Sequence, residues 1–322
     1  MCGIVGYVGY DEAAGKIIEG LKKLEYRGYD SSGIAILSDK GIELNKCKGE
    51  IKNLENMIAG RVPSGTCGIG HTRWATHGAP SDVNSHPHMD QSGRVALVHN
   101  GIVENYVELK EALINEHGIK FKSETDSEVI AQLVGVKYNA NGGDLEKAVY
   151  DATKEMRGTY AIGVIAEDTP NKIVAYRKEA PLIAGLGKKS NFIASDIPAL
   201  LKYTNDIFLI ENDEMVICTP DSITIKDKDG KEVKREAMKI TWSVEDAEKG
   251  GYEHFMLKEI NEQPKVVAET LNRRIDEDGK IKLDGINLTK EELDKYNKIY
   301  IVACGTAYHA GLVGKYVIEK MA

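Results

Sequence analysis

At 322 residues the chain is long enough for about two domains of ~150 residues each, and 42% apolar with 29% charged residues suits a globular protein with a sizeable core. A net charge of −8, from 42 basic and 50 acidic residues without a long run of either sign, argues against a nucleic-acid surface. No apolar run approaches the ~20 residues of a membrane span and nothing at the N-terminus reads as a signal peptide, so a cytoplasmic protein is expected.

The chain opens Met1-Cys2-Gly3-Ile4-Val5-Gly6, and the small Cys2 side chain predicts removal of the initiator methionine. Cys2 would then carry a thiol and a free α-amine, whose ordinary pKa values lie near ~8.5 and ~8. A nucleophile and a base on one residue are what terminal-nucleophile hydrolases use. The plain alternative is a buried cysteine opening the first strand. The other cysteines (47, 67, 218 and 304) are scattered, and the odd total without Cys-x-x-Cys fits reduced thiols rather than disulfides or zinc.

Residues 3–8 read as a strand, followed by a helix capped by Asp11 with Ile17, Ile18, Leu21 and Leu24 on one face. That helix should stop near Tyr26-Arg27-Gly28, and residues 29–33 read as a polar turn. A hairpin is expected from strands at 34–37 and 42–47, then a short helix at 52–59 and a strand at 67–71. Residues 73–93 show no periodicity, and loops of that length are usually functional. Five of the eight histidines (71, 77, 86, 88 and 99) fall within residues 71–99. A strand at 95–98 runs into His99-Asn100-Gly101. Helices are expected near 104–116, 126–137 and 144–156, then strands at 160–165, 172–176, 191–194, 207–210, 215–218 and 222–226. Such blocks suggest layered sheets with helices outside, an α+β fold.

Residues 227–251 are charged and glycine-punctuated, which marks a boundary. The domains expected are 1–240, a linker at 241–251, and 252–322. The last contains a helical run from Phe255 to Arg274 with Pro264 inside, and a charged turn at 276–280. A buried parallel strand is expected at Ile299–Cys304, then a Gly305-Thr306 turn and a helix to the chain end. One such βα unit is less than a domain, so 252–322 is expected to be part of a larger fold and the chain a piece of a longer protein.

Asn100-Gly101 after a strand is either a turn or a pair of amide donors for a developing oxyanion. Arg73, with Trp74, Thr76 and His77 beside it, is either a surface cation or a bidentate clamp for a carboxylate, with Thr76 and His77 adding donors. Asp126 is either a helix cap or the partner of a ligand ammonium. The histidines lack metal-ligand spacing, so no metal and no cofactor is expected.

Met-Cys-Gly-Ile-Val-Gly, Leu-Glu-Tyr-Arg-Gly-Tyr-Asp-Ser-Ser-Gly (24–33), His-Thr-Arg-Trp-Ala-Thr-His-Gly (71–78), His-Asn-Gly (99–101) and Ser-Glu-Thr-Asp (123–126) together resemble the glutamine–fructose-6-phosphate aminotransferase (glucosamine-6-phosphate synthase) family. The likeness continues through Lys-Glu-Ile-Asn-Glu-Gln-Pro (258–264) and Ala-Cys-Gly-Thr (303–306), so it covers essentially the whole chain. It implies the αββα sandwich of N-terminal nucleophile hydrolases, followed by an incomplete α/β sugar isomerase domain. It implies Cys2 as nucleophile toward L-glutamine, with Asn100 and Gly101 as the oxyanion hole. Arg73, Thr76 and His77 would clamp the glutamine carboxylate and Asp126 its amine. Arg27 would lie near the terminal amine and Trp74 would gate an ammonia channel. Gly305 and Thr306 would begin a sugar-phosphate cradle, where Ala307 replaces a serine common in the family.

The resemblance also implies what this chain lacks: a second isomerase domain, a catalytic lysine and a C-terminal tail. Glutaminase activity is therefore expected without synthesis of glucosamine 6-phosphate. Fructose 6-phosphate, and a homodimer through the isomerase domain, would belong to the complete enzyme. The alternatives are a terminal-cysteine amidase for another amide and a non-catalytic glutamine-binding regulator.

Overall fold

A computed structural model describes residues 2–75, 77–241, 252, 254–275, 278–283 and 288–321. The chain divides into two units, residues 1–248 and 249–322.

The first unit runs β1 (Gly3–Gly9), α1 (Ala13–Lys23), a 3₁₀ turn (Glu25–Arg27), β2 (Ser31–Ser38), β3 (Gly41–Lys48), α2 (Ile51–Ile58), β4 (Cys67–Arg73), β5 (His88–Met89) and β6 (Val95–Val103). It continues with α3 (Tyr106–His117), α4 (Asp126–Ala140), α5 (Leu145–Glu155), β7 (Gly158–Ala166), β8 (Ile173–Lys178), β9 (Ile183–Leu186) and β10 (Ser190–Ala194). The last strands are β11 (Asp206–Leu209), β12 (Glu214–Cys218), β13 (Ile223–Lys226) and β14 (Met238–Lys239). They form an eight-stranded sheet, β14-β11-β9-β10-β1-β4-β2-β3, and a six-stranded sheet, β13-β12-β8-β7-β6-β5, with antiparallel pairing throughout.

The central strands are apolar on both faces because each face has its own core. In β1, Val5 and Tyr7 join Ile17, Leu21 and Leu24 under α1, while Ile4 and Val8 join a layer between the sheets. In β6, Val95 and Leu97 pack with α4 residues Ile130 and Val134, while Ala96 and Val98 face the inter-sheet layer. Successive side chains on a strand point to opposite faces, so a strand buried on both sides reads as a continuous apolar run. The layers are therefore helix, sheet, sheet, helix. Each fully buried Ile, Leu or Val contributes about 1.5–3 kcal/mol by removal from water.

Several local expectations are corrected. The N-cap of α1 is Glu12, not Asp11, and the Glu12 carboxylate instead accepts from Ser64 Oγ and Gly65 N (both 2.9 Å). Ser31-Ser32-Gly33 is not a turn but the start of β2, held by β3 and β4 on either side. The short strands β5, β9 and β14 have too few residues to show a period. Met238–Lys239 pairs with β11, and the neighbouring Ile240 is buried in the α1-side core.

The second unit contains α6 (Phe255–Asn272, with Pro264 inside), α7 (Lys290–Leu293) and α8 (Gly305–Met321). Residues 276–277 of the expected turn lie outside the described residues. Ile299–Cys304 is not a buried strand: it is exposed, with no strand pairing among the described residues. A parallel strand needs a hydrogen-bonded neighbour on at least one edge, and an apolar run without one has nothing to extend against. Among the described residues no helix is long and apolar enough to cross a membrane.

Candidate active site

The central position of β1 brings Cys2 to the meeting point of both sheets. The β1–β4 register sets Gly3 opposite Thr72, which places Cys2 beside the β4 end at Arg73 and Trp74. Trp74 N–H donates to Cys2 Sγ at 3.2 Å, and the thiol donates back to Trp74 O at 3.4 Å. The Cys2 carbonyl accepts from Arg27 Nε at 3.0 Å and from Asn100 Nδ2 at 3.1 Å. Arg27 is buried and ion-paired to Asp196 (2.9 Å), so it is a fixed support for the start of β1. Gly28 lets the 3₁₀ turn lie on β4, since a Cβ there would sit 2.6 Å from Arg73 C and 2.7 Å from Trp74 N.

Burial pushes the Cys2 thiol up, against the opposing pull of the Trp74 N–H and the Arg73 and Arg27 guanidiniums. The group is a thiol at neutral pH, and a base is needed to make it a nucleophile.

Asn100 and Gly101 lie inside β6, paired with Ala161 and Tyr160 of β7, rather than in a turn. Gly101 has φ +122°, and a Cβ there would lie 2.0 Å from Thr159 O. Only glycine fits that backbone. Asn100 Nδ2 also donates to Ser195 Oγ at 2.8 Å, and Ser195 Oγ accepts from Ile4 N at 2.8 Å.

A cavity of about 310 Å³ is lined by Cys2, Arg27, Arg73, Trp74, His77, Asn100, Gly101 and Asp126, among others. Arg73 is buried and donates through Nη2 to His77 O and Gly78 O, while Nη1 has no partner among the described residues. Burial lowers its pKa, countered by Cys2, Asp30 and Asp126. A buried guanidinium with an idle N–H edge is ready for an anion. Asp126 is not the helix cap. Thr125 is, accepting from Glu128 N at 3.2 Å, so Asp126 enters the first turn and accepts from Val103 N at 3.0 Å. His77 Nδ1 is buried without a partner among the described residues, and its ring lies edge-on to Tyr106 at 5.5 Å. Trp74 is half-exposed at the cavity, edge-on to Tyr29 at 5.7 Å. Thr76 lies outside the described residues.

The model of the glutamine amidotransferase domain matches residues 71–202, which contain the Arg73 loop, the Asn100-Gly101 pair and Asp126. The chain is 57% identical over 322 residues to the glutamine–fructose-6-phosphate aminotransferase (isomerizing) of Clostridium tetani strain Massachusetts / E88, covering 100% of this chain. It is 48% identical over 323 residues to the same-named protein of Thermus thermophilus, again over 100% of this chain. Over its whole length the chain is similar to the proteins of that name. It spans about half the length of those relatives, 52% of each. Among solved structures, glutamine phosphoribosylpyrophosphate amidotransferase from B. subtilis, complexed with ADP and GMP, superposes with a TM-score of 0.61 at 26% identity, covering 70% of this chain and 49% of that one.

Four of the clustered histidines are buried and neutral, and so add no cation to the cavity. His71, His86, His88 and His99 are buried, and burial drives each pKa below the ordinary value, that of His71 to about 3. His71 and His86 stack at 4.1 Å between ring centres, and His88 lies edge-on to His86 at 4.9 Å. Among the described residues no group of three or more His, Cys, Asp or Glu is placed to hold a metal.

Sequence reasoning missed Ser195 and Asp196, which support Asn100 and Arg27 from the end of β10. They stand outside every motif, and only the β1–β10 pairing brings them in. It also gave His71 no role. A larger cavity of about 890 Å³ beside Lys46 and Glu128 contains neither Cys2 nor Arg73. Gly305 (φ +61°) and Thr306 open α8 in the second unit, both exposed.

Proposed function

We propose that this chain is a glutaminase that converts L-glutamine to glutamate and ammonia through a thioester on Cys2. The observation that carries the reading is the idle Nη1 edge of buried Arg73 in the same cavity as Cys2 and Asp126. A free amino acid presents a carboxylate and an ammonium, and these two side chains match them in charge. The γ-amide would then reach the thiol. With Met1 removed, the α-amine of Cys2 takes the thiol proton, the sulfur lone pair forms the bond to the amide carbon, and the carbonyl pair moves onto oxygen. The Gly101 N–H stabilises that oxyanion together with Asn100 Nδ2, which gives up one of its two present acceptors, the Cys2 carbonyl or Ser195 Oγ, to do so. One such donor is worth about 10²–10³ in rate. Collapse breaks the C–N bond, and the proton held by the amine leaves with ammonia. Water adds to the thioester, the sulfur leaves with a proton, and glutamate departs.

In this reading His77, and Thr76 beside it, add donors for the glutamine carboxylate. Arg27 fixes the Cys2 carbonyl, and Trp74 controls the way out for ammonia. The first unit is a member of the N-terminal nucleophile hydrolase class. Residues 252–322 are the start of a sugar isomerase domain in which Gly305 and Thr306 contribute to a phosphate cradle. Fructose 6-phosphate as ammonia acceptor, dimerisation through that domain and a cytoplasmic location are proposed for the whole protein. Hydroxylamine tests the thioester: added to the reaction, it should divert glutamine to γ-glutamyl hydroxamate. Steady glutamate release with no hydroxamate at any hydroxylamine concentration would rule the acyl-enzyme out.

A further inference from the structure

The Asn100 amide works as an oxyanion donor only in one of its two orientations. Rotation by a half-turn exchanges NH₂ for C=O with almost no change of shape and would turn an acceptor toward the developing negative charge. Three contacts bear on the choice. Ser195 Oγ, 2.8 Å from Nδ2, can donate or accept and so cannot discriminate. The Cys2 carbonyl, 3.1 Å from Nδ2, accepts only, and favours NH₂ on that side. At the other end His71 Nε2 lies 3.0 Å from Asn100 Oδ1.

The tautomer of His71 is settled by its surroundings. Nε2 sits between two oxygens, Asn100 Oδ1 and the His99 carbonyl, each at 3.0 Å. The carbonyl can only accept, so Nε2 carries the proton. Nδ1 has no hydrogen-bond partner among the described residues, which agrees with a bare ring nitrogen there. Burial, with Arg73 and His99 as nearby positive or protonatable groups, keeps the ring neutral across the physiological range. His86 stacks on it with the planes 23° apart, and the β4 backbone on which it stands is paired on both sides. The ring cannot easily turn.

We infer that His71 is a positioning residue for glutamine hydrolysis: its Nε2–H, shared between the His99 carbonyl and Asn100 Oδ1, holds Oδ1 away from Cys2. The NH₂ thus stays on the Cys2 side and can exchange one of its two present acceptors, the Cys2 carbonyl or Ser195 Oγ, for the oxyanion. The inference rests on the glutaminase reading above. It assigns His71 no proton transfer and no contact with substrate.

The test is steady-state hydrolysis of glutamine by the whole chain carrying His71→Gln, His71→Asn or His71→Leu. Glutamine places its NH₂ near the Nε2 position of histidine, whereas asparagine reaches only the Nδ1 position. The expected result is a kcat for His71→Gln within about fivefold of the parent. His71→Asn and His71→Leu should fall about a hundredfold, the cost of one oxyanion donor. KM should stay within about threefold in all variants, because the carboxylate and ammonium contacts are untouched. The pH profile of His71→Gln should keep the limbs of the parent. Equal losses in His71→Gln and His71→Asn, or a rise in KM matching the fall in kcat, would overturn the inference. If His71→Leu does not fold, the Gln and Asn pair still decides. A parent chain without glutaminase activity would instead sink the underlying reading.

Discussion

The first unit buries a core on every face of its two sheets, whereas none of the described residues of the second unit is buried. The contrast is clearest between Ile34–Leu37 and Ile299–Cys304, two apolar runs that look alike in sequence. The first is flanked by β3 and β4 and is fully buried, with its side chains divided between two cores. The second includes Val302 at 95% exposure and pairs with nothing described. An apolar run is a strand only where distant segments supply its edges and cover its faces. The candidate active site belongs to the unit in which that condition is met, and its donors are held by the same sheet pairings.

Four changes would sharpen or break that contrast. The largest effect is expected at the site itself. Arg73→Gln removes the charge facing the cavity and should lower kcat/KM for glutamine by about 10³, with less effect on amides lacking a carboxylate; a loss equal for both would show that Arg73 only supports the fold. Next is the core of the first unit, where Ile34→Ala should cost about 2–5 kcal/mol in denaturant unfolding. Third is acid. His71, His86, His88 and His99 are held neutral in the fold and take up protons when it unfolds, so their contribution is complete above the unfolded pKa near ~6.5. It is lost as pH falls below that, for His71 down to about 3. Each histidine should reduce the folded-to-unfolded ratio by up to about tenfold per pH unit below ~6.5. A midpoint unchanged between pH 7.5 and 5.5 would contradict this. The smallest effect is expected in the second unit, where Val302→Ser should change stability by less than about 0.5 kcal/mol. A large loss there would mean that residues 299–304 have a covered face after all. Their exposed apolar side chains also predict self-association, which a sizing column would register as species larger than the monomer.

The parts legible in the sequence are those set by neighbours in the chain. The α1 stripe of Ile17, Ile18, Leu21 and Leu24 and the β2–β3 hairpin follow from local pattern and turn chemistry. Arg73, Trp74 and His77 stand out because residues 73–93 show no period, while Asn100, Gly101 and Asp126 stand out only as members of short motifs. The fold brings these six into one cavity with Cys2 and Arg27. The illegible parts depend on distant partners. The Asn-Gly pair looks like a turn until β7 runs alongside it. Asp126 looks like a cap until Thr125 is seen to fill that place. Ser195 acquires a role only through the β1–β10 pairing, and His71 only through the carbonyl and amide that converge on its Nε2.

Everything proposed for this site depends on Cys2, with its own α-amine exposed, performing the chemistry. The direct measurement is glutamate release from glutamine by the purified chain and by its Cys2→Ala variant, with an intact mass recorded for each. The parent should lack Met1 and release glutamate and ammonia in equal amounts, and the alanine variant should release neither above background. Glutamate release by Cys2→Ala at the parent's rate, or full activity in protein that retains Met1, would contradict it.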